Sequence, residues 1–338
     1  MMKTIDFPKA LADFLTKYLP GERGMSNNTI ASYRVAFILL ISFMDECKGI
    51  KPQKLSFSHL TRDCIEEFLL HIEKVRKCST ATRNVRLAAL HTFFKYVQYE
   101  WPEQLNECRS ILSIKVKKAK KGTVNYLTVD GIRLLLDQPD LTTRRGIRDL
   151  AMLALMYDSG ARVQEIIDLA PDCIRLNKPY TIKLIGKGNK ARIVPLMDEE
   201  VVHLKKYMQQ NRLLENYASV YPLFSNTRGE KLSRAGIAHI LHKYADMARK
   251  TDPLLIPDRI SCHSLRHSKA MHLLQAGVNL VYIRDVLGHE SVTTTEIYAR
   301  VDSKQKREAI EKAYVGVVKK ESPVWVNNET LLDWLKSF

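Results

Sequence analysis

The sequence predicts a mainly helical protein of two domains, with a small β-sheet confined to the second. Three observations carry this reading. Apolar residues recur at helical spacing through the first third of the chain. A basic stretch poor in bulky side chains, Lys115 to Gly122, then interrupts the pattern. Only beyond it do short β-like runs alternate with helices. At 338 residues the chain is long enough to bury two cores.

In the first third, Ser26 is placed to cap a helix whose Thr29, Tyr33, Phe37, Leu40 and Met44 form one stripe. Thr61 opens a second through Ile65, Phe68, Leu69 and Ile72. Ser79 or Thr80 opens a third, expected to bury Val85, Ala89, Phe93 and Tyr96 and to turn Arg83, Asn84 and Arg86 outward. Arg and Asn pair with guanine and adenine edges, so these three are candidate major-groove contacts. Four or five helices over residues 1–114 make the first domain, and residues 115–123 the linker. Its Lys117, Lys118, Lys120 and Lys121 are candidates to follow a phosphate track, or else form a solvated charge run.

The second domain is expected over 124–320. Thr128 caps a helix to about Asp137, and Gly146 to Ser159 is a largely apolar helix. Tyr180 to Ile185 and Ala191 to Pro195 read as strands joined by the turn G-K-G-N-K. Helices are predicted near 198–212, 233–249, 263–276, 279–287 and 302–314. After Pro323 a tail, 321–338, carries a short helix capped by Asn327 or Asn328. Its Leu331, Leu335 and Phe338 share a stripe that calls for a docking partner.

The charge narrows the function classes. The formal net charge is +16, with +9 of it in residues 1–121, so both halves are suited to phosphate. The six cysteines include no C-x-x-C pair, which suits a reducing cytoplasm better than a disulfide framework. The opening M-M-K-T-I-D-F-P-K-A does not have a signal-peptide pattern, and the best apolar run, Ala36 to Met44, is too short to span a bilayer. No membrane role is expected.

Six residues of the second domain form a chemically coherent set. Arg162 opens a helical turn that contains Glu165. Lys187 stands in the hairpin. His263 and Arg266 share a helical face, His289 follows Leu287-Gly288, and Tyr298 lies in T-T-E-I-Y-A-R. Two guanidinium forks hold the non-bridging oxygens of a phosphodiester as it becomes five-coordinate. A phenol needs a base and a positive field to act as nucleophile, and a lysine can protonate the leaving oxygen. Such a set needs no metal and no cofactor. Each residue also has a plainer reading. Arg162 can simply pair with Glu165. His263 and His267, beside Cys262, have zinc-ligand spacing but lack a fourth ligand at a recognisable distance. The G-K-G-N-K turn is not a phosphate-cradling P-loop.

The strings S-G-A-R-V-Q-E-I-I-D-L, I-G-K-G-N-K-A-R-I-V-P-L, H-S-L-R-H, V-L-G-H and T-T-E-I-Y-A-R closely resemble the signature of the tyrosine recombinase, or phage integrase, family, nearest to its Xer-type members. The resemblance covers about residues 20 to 315. It is specific in the second domain and limited to helical layout in the first. It implies catalytic roles for Arg162, Lys187, His263, Arg266, His289 and the nucleophile Tyr298, with Glu165 in support. Lys190 and Arg192, near Lys187, are separate candidate DNA contacts. The resemblance also implies a C-shaped clamp of a core-binding and a catalytic domain on duplex DNA with inverted-repeat half-sites. Strands would exchange through a 3′-phosphotyrosyl link without ATP, in a tetramer joined by trans docking of the tail and open to accessory factors. Lys269, unusual in chromosomal members, suggests a mobile element. A type IB topoisomerase and a non-enzymatic DNA-binding protein on the same fold are the rival readings.

Overall fold

The computed structural model describes residues 7–119 and 125–301, with Leu335 and Lys336 beyond them. The expected helix at 302–314, the tail's docking apart from those two residues, and Lys120 and Lys121 of the linker lie outside the described residues. The chain divides into two compact units, residues 1–122 and 123–338.

In the first unit α1 (Phe7–Asp13) runs on through a wider helical turn at Phe14–Glu22. Then follow α2 (Asn27–Lys48), α3 (Arg62–Lys74), α4 (Thr80–Glu100) and α5 (Leu105–Leu112). Three caps set their starts: Ser26, Thr61 and Ser79 each accept the backbone N–H three residues on, from Thr29, Cys64 and Thr82. The core is aromatic. The Phe93 ring lies 5.1 Å from those of Phe14 and Phe37 and 5.9 Å from that of Phe7, mostly edge to face.

One face of α4 differs from expectation. Val85 is exposed, and Arg83, expected outward, is buried. Arg83 lies on the stripe of Leu87, Leu90 and Phe94, at i+4, i+7 and i+11, and that stripe faces the core. Its Nη1 donates to the Lys115 carbonyl, 3.1 Å. The Asn84 amide brackets Lys117, donating to its carbonyl at 2.7 Å and accepting its N–H at 3.2 Å. Arg86 donates to the Ser32 carbonyl. All three therefore hold backbone, and Arg83 is no groove-reading residue. The first part of the presumed linker is pinned to the helical unit. Lys117 also pairs with Glu73, while Lys118 is exposed.

The second unit is built around α7 (Arg144–Asp158), which is buried along most of its length. It follows α6 (Val129–Leu136), capped by Thr128, and precedes the short α8 (Val163–Ile167). Next comes a three-stranded antiparallel sheet in the order β1 (Ile174–Arg175), β2 (Thr181–Ile185), β3 (Ala191–Pro195). The two-residue β1 escapes any periodicity. Ile182 faces Val194 across the sheet, and with Leu184 they turn inward. Gly188 (φ 74°) and Asn189 (φ 58°) form the β2–β3 turn, with Lys187 immediately before them. Five helices follow among the described residues up to 301: α9 (Asp198–Gln210), α10 (Arg234–Thr251), α11 (Cys262–Gln275), α12 (Leu280–Leu287) and α13 (Val292–Val301). Helix α13 was not anticipated. Its T-T-E-I-Y-A-R run offers little apolar periodicity.

Lys269 finds a structural use on α11. It pairs with Asp158 at 2.8 Å and lies over the Tyr157 ring. It ties α11 to α7, so it gives no information on a mobile-element origin. No helix among the described residues is long and apolar enough to cross a membrane.

Candidate active site

The site forms around the C-terminal end of α12. A helix leaves its last carbonyls without partners inside the helix, at the negative end of its dipole. Here three arginines take them. Arg192 Nε donates to the Val286 carbonyl at 2.8 Å, Arg266 Nη2 to that of Leu287 at 2.6 Å, and Arg162 Nη2 to that of Gly288 at 3.0 Å. Arg266 Nη1 also donates to the Gly160 carbonyl at 2.7 Å. Three like charges are thus drawn together by one helix end.

Two glycines permit this. Gly160 and Gly288 both have left-handed backbone, φ 58° and 64°. A Cβ at Gly160 would meet Leu287 Cδ2 at 2.8 Å, and one at Gly288 would meet the Arg192 side chain at 3.0 Å. The close approach of α12 to the turn before Arg162 requires both to lack a side chain.

Glu165 offsets the positive charge. It is buried, and each of its oxygens accepts from Arg192, 2.9 Å to Oε1 and 2.7 Å to Oε2. Arg162 adds its Nη1 at 2.9 Å and, through a capping arrangement, its backbone N–H at 2.7 Å. Burial alone would raise the carboxyl pKa, but these hydrogen bonds and the Arg192 charge outweigh it and hold it below the ordinary glutamate range. Arg192, expected on the DNA, is instead the main partner of this acid. It sits on the inward face of β3 with the buried Val194 two residues on. The ionised carboxylate therefore stabilises the fold above its unfolded pKa of about 4.3, and that contribution disappears as pH falls through the lower folded value. Glu165→Ala is expected to cost about 3–5 kcal/mol at neutral pH by leaving Arg192 unpaired. Its melting temperature should also vary less with pH than the wild type's on the acid side. Melting curves from pH 7 into the acid range check both; wild-type stability at pH 7 would contradict the pairing.

Tyr298 lies on α13 with its ring packed among Ala270, Met271, Leu274, Ile283 and Leu287, 1% exposed. Burial raises the phenol pKa, and Arg266 and Arg162 only partly oppose this, so it is protonated at neutral pH. Its oxygen lies 2.8 Å from Nδ1 of His267. The sequence presents His267 only as a metal-ligand candidate beside His263. The signal was available: positions 263, 266 and 267 fall on one face of α11. His263 is exposed on that face. His289 is held by Thr295, whose buried hydroxyl lies 2.9 Å from its Nδ1. Burial, then Arg266, Arg162 and Arg192, push His289 down to about 4, so it is neutral. Thr295 is a further residue that sequence reasoning missed.

A cleft of about 470 Å³ opens beside these groups, lined by Arg162, Gly186, Lys190, Arg192, Gly288 and His289 among others. Lys190 is exposed on its rim, with Glu290 at 3.7 Å. The turn that carries Lys187 closes with Gly186 N–H donating to the Lys190 carbonyl, and Gly186 and Lys190 line the cleft. Among the described residues no cluster of three His, Cys, Asp or Glu is arranged to hold a metal ion.

Residues 125–305 match the phage integrase family, and residues 12–100 match its N-terminal SAM-like domain. A putative integrase/recombinase, y4rC, of Sinorhizobium fredii is 33% identical over all of both chains. The tyrosine recombinase XerD of Staphylococcus epidermidis is 33% identical over 85% of this chain and 92% of its own length. In fold, the chain resembles the XerH site-specific recombinase solved on a palindromic difH substrate after cleavage, with a TM-score of 0.65 at 22% identity, covering 88% of this chain and 83% of that one.

Proposed function

This chain belongs to the phage integrase family, the tyrosine-type site-specific DNA recombinases, and from that premise we propose a role for each group of the site. Tyr298 attacks the scissile phosphorus, forms a 3′-phosphotyrosyl link and releases a 5′-hydroxyl. Arg162 and Arg266 hold the two non-bridging oxygens and stabilise their charge in the five-coordinate state. Each spends part of its guanidinium on a carbonyl of the α12 end or of Gly160, which fixes the fork in place before DNA arrives. Neutral His263 and His289 supply further hydrogen bonds to the phosphate, and Glu165 with Arg192 fixes Arg162. The convergence of these arginines on one helix end, with a protonated tyrosine packed against the same helix, is the observation that carries the reading. A hydroxyl from the partner strand reverses the step, one phosphodiester replacing another, so neither ATP nor metal enters the account.

Lys187 is proposed as the acid that protonates the leaving 5′-oxygen, since it stands in the turn that borders the cleft. Lys187→Ala should slow cleavage on the order of 100-fold on ordinary DNA. It should cleave at near the wild-type rate when that oxygen is replaced by sulfur, because a thiolate leaves without a proton. Single-turnover rates on the two substrates check this. An equal defect on both would assign Lys187 to binding, with Lys190 the next candidate.

The palindromic substrate of the XerH relative supports a site made of inverted half-sites, with pairs of protomers on each of two duplexes. Lys117, Lys118 and Lys190 remain proposed phosphate contacts. Deletion of 322–338 should leave binding to one half-site intact and weaken filling of the second. If the truncated protein assembles normally but melts lower, the tail docks on its own chain.

A further inference from the structure

Three histidines stand near the site, and any of them has the right chemistry to take the proton of a phenol. The structure separates them. His289 Nδ1 is already engaged by the buried Thr295 hydroxyl. His263 is exposed on the same face of α11, its ring centre 6.2 Å from that of His267. His267 Nδ1 lies 2.8 Å from the Tyr298 oxygen, with the two rings 5.7 Å apart.

We infer that His267 is the proton acceptor for the Tyr298 nucleophile, its Nδ1 taking the phenolic proton during cleavage and returning it during rejoining. The inference rests on the reading of Tyr298 as the nucleophile. The step balances. The Tyr298 O–H bond breaks and its proton passes to His267 Nδ1. The phenolic oxygen bonds to phosphorus, and the bond from phosphorus to the 5′-oxygen breaks. The leaving oxygen gains its proton from the general acid. In rejoining, the incoming 5′-hydroxyl gives its proton back to the now deprotonated general acid as its oxygen bonds to phosphorus, the bond from phosphorus to the Tyr298 oxygen breaks, and the imidazolium returns its proton to the phenolate.

The surroundings suit this use. A base must be neutral before the reaction, and burial, then His263 and Arg266, push His267 down to about 4. The groups that surround it in charge are His263 and Arg266 on its own helix, His289 beyond α12 and Tyr298 on α13. Arg266 and Arg162 lower the phenol's pKa against its burial, so the positive field that holds the phosphate also favours loss of this proton. A neutral imidazole that accepts at Nδ1 carries its hydrogen on Nε2. In that tautomer the phenol is the donor across the 2.8 Å contact, which is the form the inference requires.

His267→Asn tests the inference. The Asn Oδ1 can accept the phenol's hydrogen bond much as Nδ1 does but cannot take up its proton. On a half-site substrate that traps the covalent adduct, the variant should cleave on the order of 100-fold more slowly than wild type at pH 7. The deficit should shrink as pH rises, because solvent then ionises the phenol without help. A deficit that stays constant across the alkaline range, or wild-type cleavage at pH 7, would overturn the assignment. Tyr298→Phe, run alongside, separates the two levels. An adduct that survives it removes the nucleophile itself, whereas its loss beside a normal His267→Asn removes only this inference. Should the Asn variant fail to bind DNA, nitrogen-15 chemical shifts of His267 in the unsubstituted protein decide. The Nε2–H tautomer is expected at pH 7; an Nδ1–H tautomer or an imidazolium would make Nδ1 the donor and end the proposal.

Discussion

Tyr298→Phe is expected to abolish the covalent protein–DNA adduct completely while leaving half-site affinity within a few-fold of wild type. The ring packs in the small core between α11, α12 and α13, and Phe retains all of that apolar surface. Only the hydroxyl is lost, together with its hydrogen bond to His267, a loss of about 0.5–1.5 kcal/mol in stability. No second phenol among the residues placed at the site can substitute. Denaturing gels of protein incubated with a nicked substrate read the adduct, and gel shifts read the binding. A protein-linked 3′ end in the variant would mean that the nucleophile is elsewhere.

Arg266→Ala is the second large effect, a loss of cleavage of roughly 100- to 1000-fold, or about 3–4 kcal/mol of transition-state stabilisation. Arg266 is 3% exposed and makes two charge-assisted hydrogen bonds to carbonyls at the site. Burial first, then Arg162 and Arg192, push it down to about 10, which still leaves it charged at neutral pH. Arg266→Lys should recover little, since an ammonium cannot bond the Gly160 and Leu287 carbonyls and still present a flat fork to phosphate. Single-turnover cleavage and thermal melts, taken together, check that chemistry falls far more than stability. Cleavage at the wild-type rate by either variant would sink the assignment.

What the sequence made legible, and what it did not, follows from range of interaction. The caps at Ser26, Thr61, Ser79 and Thr128 are local devices, readable from a hydroxyl before an apolar period, and each accepts the N–H expected of it. The catalytic strings carry their own context, so the chemistry of Arg162, Arg266 and Tyr298 could be reasoned from residue type. The Arg83 face failed because α4 buries a stripe wide enough to include a guanidinium, which then finds the Lys115 carbonyl 32 positions away. Arg192 failed similarly: its partners, Glu165 and the Val286 carbonyl, are distant in sequence, and only the two-residue alternation with Val194 hinted that it turns inward. The use of the α12 carbonyls by three arginines could not be read at all, since it depends on how α8, β3 and α11 meet one helix end.

The central claim is that Tyr298 carries the DNA. It is tested most directly by trapping the adduct on a nicked substrate in the presence of a chelator, digesting it, and locating the nucleotide mass by fragmentation. The account predicts a nucleotide joined through its 3′-phosphate to Tyr298, a free 5′-hydroxyl on the released strand, and a yield that the chelator does not change. A nucleotide on another residue, a 5′-linked adduct, or an adduct that forms only with added metal would contradict it.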